Sequence, residues 1–258
     1  MPEVKNEGWP RSGCLEIKNL KVKYRANLKY VLNGIIVSIP HGKKVGIVGR
    51  TGAGKTTFIS CLYRNFDDYE GDITLDGKEL RSVDLKVLRS SITIIPQDPY
   101  IFQDTVRNNL DPLNKRSDTE IIDILKEVEL WPKFVKDKGL DSTLDQAGGN
   151  LSQGEKQLLC LSRALLFRNK LILMDEATAN IDSQSEVLIQ KLLKDKFNDC
   201  TIIMIAHRLN TILHSDKILV LDAGTVLEFG DTEALKKDEK SHFHQMLNTY
   251  ETMQQNLS

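Results

Sequence analysis

Apolar residues recur along this chain in two rhythms. Between Cys14 and Pro40 they alternate with polar ones, in Cys14-Leu15-Glu16-Ile17, in Leu20-Lys21-Val22-Lys23-Tyr24 and in the run Val31–Pro40. Alternation sends successive side chains to opposite faces, so this stretch predicts half-buried, antiparallel strands. His41-Gly42 makes a turn. Val45-Gly46-Ile47-Val48 is apolar without alternation, as in a strand covered on both faces. A helix is predicted from Lys55 to Tyr63. Asp72–Leu75 and Lys78–Leu80 flank Asp76-Gly77, a two-residue hairpin signal. Ser91–Ile95 reads as a strand stopped by Pro96.

The rhythm turns helical between Thr105 and Ser162. Asp118–Leu130 has apolar residues at 121, 122, 124, 125, 128 and 130, one helical face, opened by Ser117 or Asp118 as a cap. Trp131-Pro132 breaks it, and a short helix is predicted over Lys133–Lys138. Ser152 caps a long predicted helix through Phe167. Strands return at Leu171–Met174, Thr201–Ala206, Ile218–Asp222 and Val226–Glu228, with a helix over Ser183–Asp195. Strands alternating with helices predict an α/β fold with a parallel sheet.

Residues 1–13 are polar and broken by Gly and Pro, and read as a flexible N-terminal arm. Residues 14–258 read as a single domain. Within it, 14–40 and about 71–80 form an antiparallel β subdomain, and about 99–158 a helical insert. About 41–70, 81–98 and 159–230 form the core, and 231–258 a helical tail.

Composition narrows the class. Of 258 residues, 35 are Lys or Arg and 36 Asp or Glu, a net charge of −1 that offers no nucleic-acid footprint. No apolar run approaches the length of a membrane span, so direct membrane insertion is not expected. The four cysteines, 14, 61, 160 and 200, lack metal-ligand spacing and read as reduced, buried hydrophobes. The first residues lack the basic-then-apolar pattern of a secretory leader.

The strongest chemical signal is Gly49-Arg50-Thr51-Gly52-Ala53-Gly54-Lys55-Thr56, between a predicted strand and a predicted helix. It meets the P-loop pattern. Glycines let successive backbone N–H groups turn inward around phosphate oxygens, and the following helix aims its positive end at the same place. Lys55 reaches the β- and γ-phosphates, and Thr56 offers a hydroxyl to Mg²⁺. Leu171–Met174 is a buried strand ending in Asp175-Glu176, two carboxylates at the sheet edge where open α/β sheets bind ligand. Asp175 suits Mg²⁺ through water, and Glu176 suits polarising an attacking water. Gln97, Asp182 and His207 stand at other strand ends, where they can converge on the γ-phosphate.

Leu151-Ser152-Gln153-Gly154-Glu155 resembles the signature Leu-Ser-Gly-Gly-Gln. With the P-loop, Asp175-Glu176 and His207 in this order, the chain resembles the nucleotide-binding domain of ATP-binding cassette (ABC) proteins over nearly its whole length. The resemblance implies a P-loop NTPase (RecA-like) core with an antiparallel β subdomain and an inserted α-helical subdomain. It implies ATP and Mg²⁺ as cofactors. Tyr24 would stack on adenine, residues Gly49 to Thr57 would wrap the phosphates, and Thr56, Gln97 and Asp175 would hold the metal. Glu176, His207, Gln97 and Lys55 would carry hydrolysis. Ser152, Gly154 and the D-loop Asp182 would act in trans, on ATP held by a second nucleotide-binding domain arranged head to tail.

Trp9-Pro10, Pro96-Gln97-Asp98-Pro99, Thr105–Pro112 and Gln157–Leu161 look like the second nucleotide-binding domain of the C subfamily, which holds the multidrug-resistance-associated exporters, the sulfonylurea receptors and a chloride channel. The function implied is ATP hydrolysis that powers solute export through attached transmembrane domains, at the cytoplasmic face of a membrane. The alternative is an ATP-gated regulatory domain of a channel or receptor, with little turnover. Coupling helices of the transmembrane domains would dock near Gln97–Phe102. The chain reads as the C-terminal portion of a longer protein. Glu155 departs from the family pattern: it adds a negative charge beside a phosphate-binding surface, and is expected to weaken closure of two copies.

Overall fold

The computed structural model describes residues 8–175, 181–205 and 209–255. Along the chain, β1 (Leu15–Val22) and β2 (Leu32–Ile39) lead to β3 (Lys44–Val48), α1 (Lys55–Leu62), β4 (Tyr69–Leu75) and β5 (Lys78–Glu79), then α2 (Leu85–Ser91) and β6 (Ile92–Ile95). Helices follow: α3 (Val106–Leu110), α4 (Asp118–Glu127), α5 (Trp131–Phe134) and α6 (Gln153–Phe167). Alternation returns with β7 (Leu171–Asp175), α7 (Ser183–Lys196), β8 (Thr201–Ile205), α8 (Leu209–Ile212), β9 (Lys217–Asp222) and β10 (Thr225–Asp231), and ends in α9 (Thr232–Lys237) and α10 (His242–Gln255). Two compact units result. Met1–Thr93, Lys170–Glu176 and Asp199–Ser258 make the first, and Ile94–Asn169 with Ala177–Asn198 the second.

The first unit carries an antiparallel sheet of order β2-β1-β4-β5. Along β1, Leu15, Ile17, Leu20 and Val22 are buried. The two polar residues in a row, Lys18-Asn19, mark a register shift between Ile17 and Leu20, with Asn19 at φ 52°. This bulge restores the inward phase that a strict alternation would lose. The β4–β5 turn uses Asp76 at φ 49°, a conformation that aspartate tolerates.

The same aspartate corrects the reading of a flexible arm. Its carboxylate accepts from the backbone N–H groups of Arg11 (2.6 Å), Ser12 (2.8 Å) and Cys14 (2.8 Å), and from the Ser12 hydroxyl. Trp9 Nε1 donates to Leu75 O at 2.9 Å. From Trp9 onward the arm is therefore tied to the hairpin, and residues 1–7 lie outside the described residues. Burial would raise the Asp76 carboxyl, but the hydrogen bonds from Ser12, Cys14 and Gly13 win and hold it below the usual range.

The second sheet has the order β10-β9-β3-β8-β7-β6. β9, β3, β8 and β7 run parallel, with β10 antiparallel to β9. The non-alternating apolar runs occupy its middle, as burial on both faces requires. Asp175 of β7 stands opposite Ile205 of β8, and Ile205 opposite Ile47 of β3. The carboxyl ends of these three strands are therefore level.

The second unit is helical, with its core on Ile121, Leu125, Leu158, Leu161, Ile189 and Leu192. Ser117 and Glu120 form a capping box that starts α4, as Ser152 and Glu155 do for α6. Pro132 lies in the first turn of α5, so it opens a helix as well as following one. α6 packs on α3, α4 and α7. All of α6 and α7 therefore belong to this unit, which extends past the boundary at 158 that the sequence suggested and takes α7 from the core.

Cys61, Cys160 and Cys200 are buried and Cys14 half-buried, all as free thiols. Burial pushes the Cys61 thiol up to about 12. Among the described residues, no group of three His, Cys, Asp or Glu is placed to hold a metal, and no helix is long and apolar enough to cross a membrane.

Candidate nucleotide site

β3 is buried to its last residue, and the chain turns sharply at Gly49. A β-carbon there would lie 2.1 Å from Leu221 O, so only glycine lets the loop leave the sheet at this point. Ala53 N donates to Arg50 O at 3.1 Å, closing the loop. Gly54, at φ 102°, is the N-cap of α1 and supplies no side-chain cap, and the first turn of α1 has no acidic residue. The opening amides of an α-helix have no intrahelical partner. With no side chain capping them, they suit an anion.

Lys55 is 8% exposed. Its Nζ donates to Gly49 O at 2.7 Å and Arg50 O at 3.2 Å, which holds the ammonium against the loop. A cavity of about 460 Å³ opens here, lined by Tyr24, Thr51, Gly52 and Lys55 to Thr57, among others. Thr56 is exposed and Thr57 buried. Tyr24 is 53% exposed. Its hydroxyl lies 2.7 Å from Thr57 Oγ1, and its ring meets Phe66 edge-on at 5.2 Å. The first unit thus gathers Tyr24 and the whole run from Gly49 to Thr57. Asp175, half-buried, ends β7 at the sheet edge from which this loop departs.

The second unit holds the other described residues of the set. Gln97 is exposed, and its backbone is anchored. Gln157 Nε2, from α6, donates to Pro96 O and Gln97 O at 3.0 Å each. Ser152 caps α6, its Oγ accepting from Glu155 N at 3.1 Å. Asp182 caps α7, accepting from Ser185 N at 2.9 Å and from Ser185 Oγ at 2.8 Å. These bonds, the backbone N–H of Ser185 first, hold the Asp182 carboxyl below its ordinary range. A β-carbon on Gly154 would fall 2.5 Å from Asp182 Oδ2, so the starts of α6 and α7 meet and bring Gly154 and Asp182 together. Glu176 and His207 lie outside the described residues.

Sequence reasoning missed three supporting residues: Gln157, Ser185 and Lys133. Gln157 had a visible signal, a polar residue at an inward position of an otherwise apolar helix face. Ser185 had a local one, since it stands three residues after the capping Asp182; Lys133 had none, because its partners are set by tertiary packing.

The family model described as ABC transporter matches residues 32–179, more than half of the chain. The chain belongs to the ABC transporter family. Among its relatives is ABC transporter C family member 13 of rice, 43% identical over 96% of this chain and 16% of that protein. ATP-binding cassette sub-family C member 3 of rat is 48% identical over 86% of this chain and 15% of that protein. A bacterial Atm1-family ABC exporter solved with ATP bound superposes with a TM-score of 0.84 at 31% identity, over 93% of this chain and 42% of that chain. The chain therefore spans about a sixth of the length of the curated C-subfamily relatives it matches. It has the P-loop NTPase core of that family, and these curated relatives are C-subfamily members.

Proposed function

We propose that this domain closes head to tail with a second nucleotide-binding domain around ATP and Mg²⁺. Closure and hydrolysis then drive solute export through transmembrane domains of the same protein, at the cytoplasmic face of its membrane. The observation that carries this is the capped start of α6. Besides the P-loop of the first unit, the second unit presents another anion-receptive helix end, Ser152 to Gly154, which suits ATP held on the P-loop of a partner domain. Tyr100 and Phe102, exposed by 69% and 54% and paired edge-on at 5.1 Å, offer the apolar surface near Gln97 on which coupling helices would dock.

Thr56, Gln97 and Asp175 present a hydroxyl, an amide and a carboxylate oxygen, hard donors that suit Mg²⁺. Bound there, the metal would neutralise charge on the β- and γ-phosphate oxygens. The amides opening α1 and the Lys55 ammonium hold those phosphates, and Lys55 exchanges the Gly49 and Arg50 carbonyls for them. Glu176 takes a proton from a water whose oxygen bonds to the γ-phosphorus. The bond from that phosphorus to the β-phosphate bridging oxygen breaks, and ADP leaves. His207 and the Gln97 side chain orient the γ-phosphate and the water.

The test is the Mg-ATP hydrolysis rate of this chain against its own concentration, with Glu176→Gln beside it. The expected result is a specific rate that rises with concentration and is lost in the variant. A rate independent of concentration would overturn closure by two domains. Binding of Mg-ATP with no turnover, even after a first nucleotide-binding domain is added, would favour the gating role.

A further inference from the structure

On sequence alone, Glu155 is an uncompensated negative charge beside a phosphate-binding surface. The structure gives that charge two partners. Glu155 Oε2 accepts from Ser152 N at 2.7 Å and from Lys133 Nζ at 2.7 Å. Lys133 Nζ also donates to Asn150 O at 2.9 Å. Asn150 in turn donates through Nδ2 to Thr143 O at 3.0 Å and accepts from Asp145 N at 3.1 Å. One ammonium thus ties α5, the loop before the signature and the first turn of α6 together, within a single unit.

We propose that Lys133 and Glu155 are a paired positioning device, neutral as a whole, that decides which donors at the start of α6 remain for the γ-phosphate of ATP held by a second copy of this chain. This rests on the closure proposed above.

The donors can be assigned one by one. The amides of Ser152, Gln153, Gly154 and Glu155 have no intrahelical partner. The capping box uses two of them: Ser152 N–H on Glu155 Oε2, and Glu155 N–H on Ser152 Oγ. The N–H groups of Gln153 and Gly154 are left for an anion. Ser152 Oγ accepts from Glu155 N–H, so its own proton is turned away from the helix and is available to donate. Glu155 fixes this arrangement, and Lys133 cancels the charge that the arrangement brings. The two side chains are 40% and 27% exposed, so the pair contributes little to stability and its effect is on the local field.

The test uses the full 258-residue chain as wild type, Lys133→Met, Lys133→Arg, Glu155→Gln and the double variant Lys133→Met/Glu155→Gln. Mg-ATP binding is followed by a fluorescent nucleotide, and ATP-dependent pairing of copies by sedimentation at low and high salt. Lys133→Met should bind nucleotide as wild type does but pair about tenfold more weakly, with the deficit shrinking at high salt. Adding Glu155→Gln should restore pairing, because the amide keeps the bond to Ser152 N and no longer needs the ammonium. Lys133→Arg should pair as wild type. An ion pair that served only folding would show no such rescue, and thermal melts of each variant report folding separately. Pairing of Lys133→Met at the wild-type level overturns the proposal. So does a double variant no better than Lys133→Met, or nucleotide binding with no pairing in any form. A wild-type chain that binds no Mg-ATP overturns instead the function on which the proposal rests, and the proposal with it.

Discussion

A β-carbon on Gly154 would stand 2.2 Å from Ser185 Oγ and 2.7 Å from Ser185 Cβ. The starts of α6 and α7 are thus as close as a missing side chain allows. Glycine costs a helix about 1 kcal/mol relative to alanine, and here that cost secures the approach. Gly154→Ala should raise intrinsic helicity yet lower turnover, because the Asp182–Ser185 cap must move. Mg-ATP binding by the P-loop should stay near wild type. Combining it with Ser185→Gly, which removes the Oγ and Cβ but leaves Asp182 Oδ2 at 2.5 Å, should recover part of the rate. Equal turnover of Gly154→Ala and wild type in a steady-state assay would refute this.

Tyr24 presents two separable contacts. Tyr24→Phe removes only the hydrogen bond with Thr57 and should cost at most about 1 kcal/mol of stability. Tyr24→Ala removes the face on which a base can stack, worth about 1–3 kcal/mol, so nucleotide affinity should fall about 5- to 150-fold. Stacking is tolerant of base identity, so the ATP to GTP preference should hardly change. Titration calorimetry of both variants checks each part.

Asp76→Asn keeps a residue that tolerates φ 49° and removes the charge that Arg11, Ser12 and Cys14 point their N–H groups at. At neutral pH it should cost about 1–2 kcal/mol. The folded carboxyl lies below its unfolded value of about 3.9, so its contribution is complete above that pH and is lost as pH falls through the depressed folded value. Urea titrations at a series of pH values should show wild type and variant converging in acid. A constant gap down to the acid limit would refute the assignment.

Gln157→Leu sets two effects against each other. It strips Pro96 O and Gln97 O of their shared donor, and it also removes Gln157 Oε1, a buried oxygen with no hydrogen-bond partner among the described residues. Stability should therefore change by only about 1–2 kcal/mol. Hydrolysis should fall several-fold through kcat, with KM nearly constant, because Gln97 loses its fixed backbone. A fall in KM-controlled binding alone would point elsewhere.

What the sequence made legible was whatever depends on near neighbours. The P-loop lay between a recognisable buried strand and a helix, and Ser152 announced its helix as a cap. The strand phase was readable on both sides of the Asn19 bulge, though not the bulge itself. Long-range pairings were not legible. Asp76 meets Arg11, Ser12 and Cys14 across more than sixty residues of chain, and Lys133 reaches Glu155 across 22. No periodicity encodes such meetings. A polar arm thus read as loose, and a charged signature residue read as unopposed. Pro132 shows the same limit on a smaller scale: its ring breaks one helix and, by its fixed φ, starts the next.

Gln157 sits five residues beyond Ser152 on the same helix, about 7.5 Å along its axis. One end of that short rigid rod meets whatever lies against the signature, and a point a turn and a half further on holds the peptide backbone at Gln97 through two bonds. A helix pinned in this way cannot turn or slide without carrying the pinned peptides along. Displacement at the signature end should therefore carry over to the backbone beside the exposed Tyr100–Phe102 rings. The second unit is in that sense geared through a single glutamine side chain.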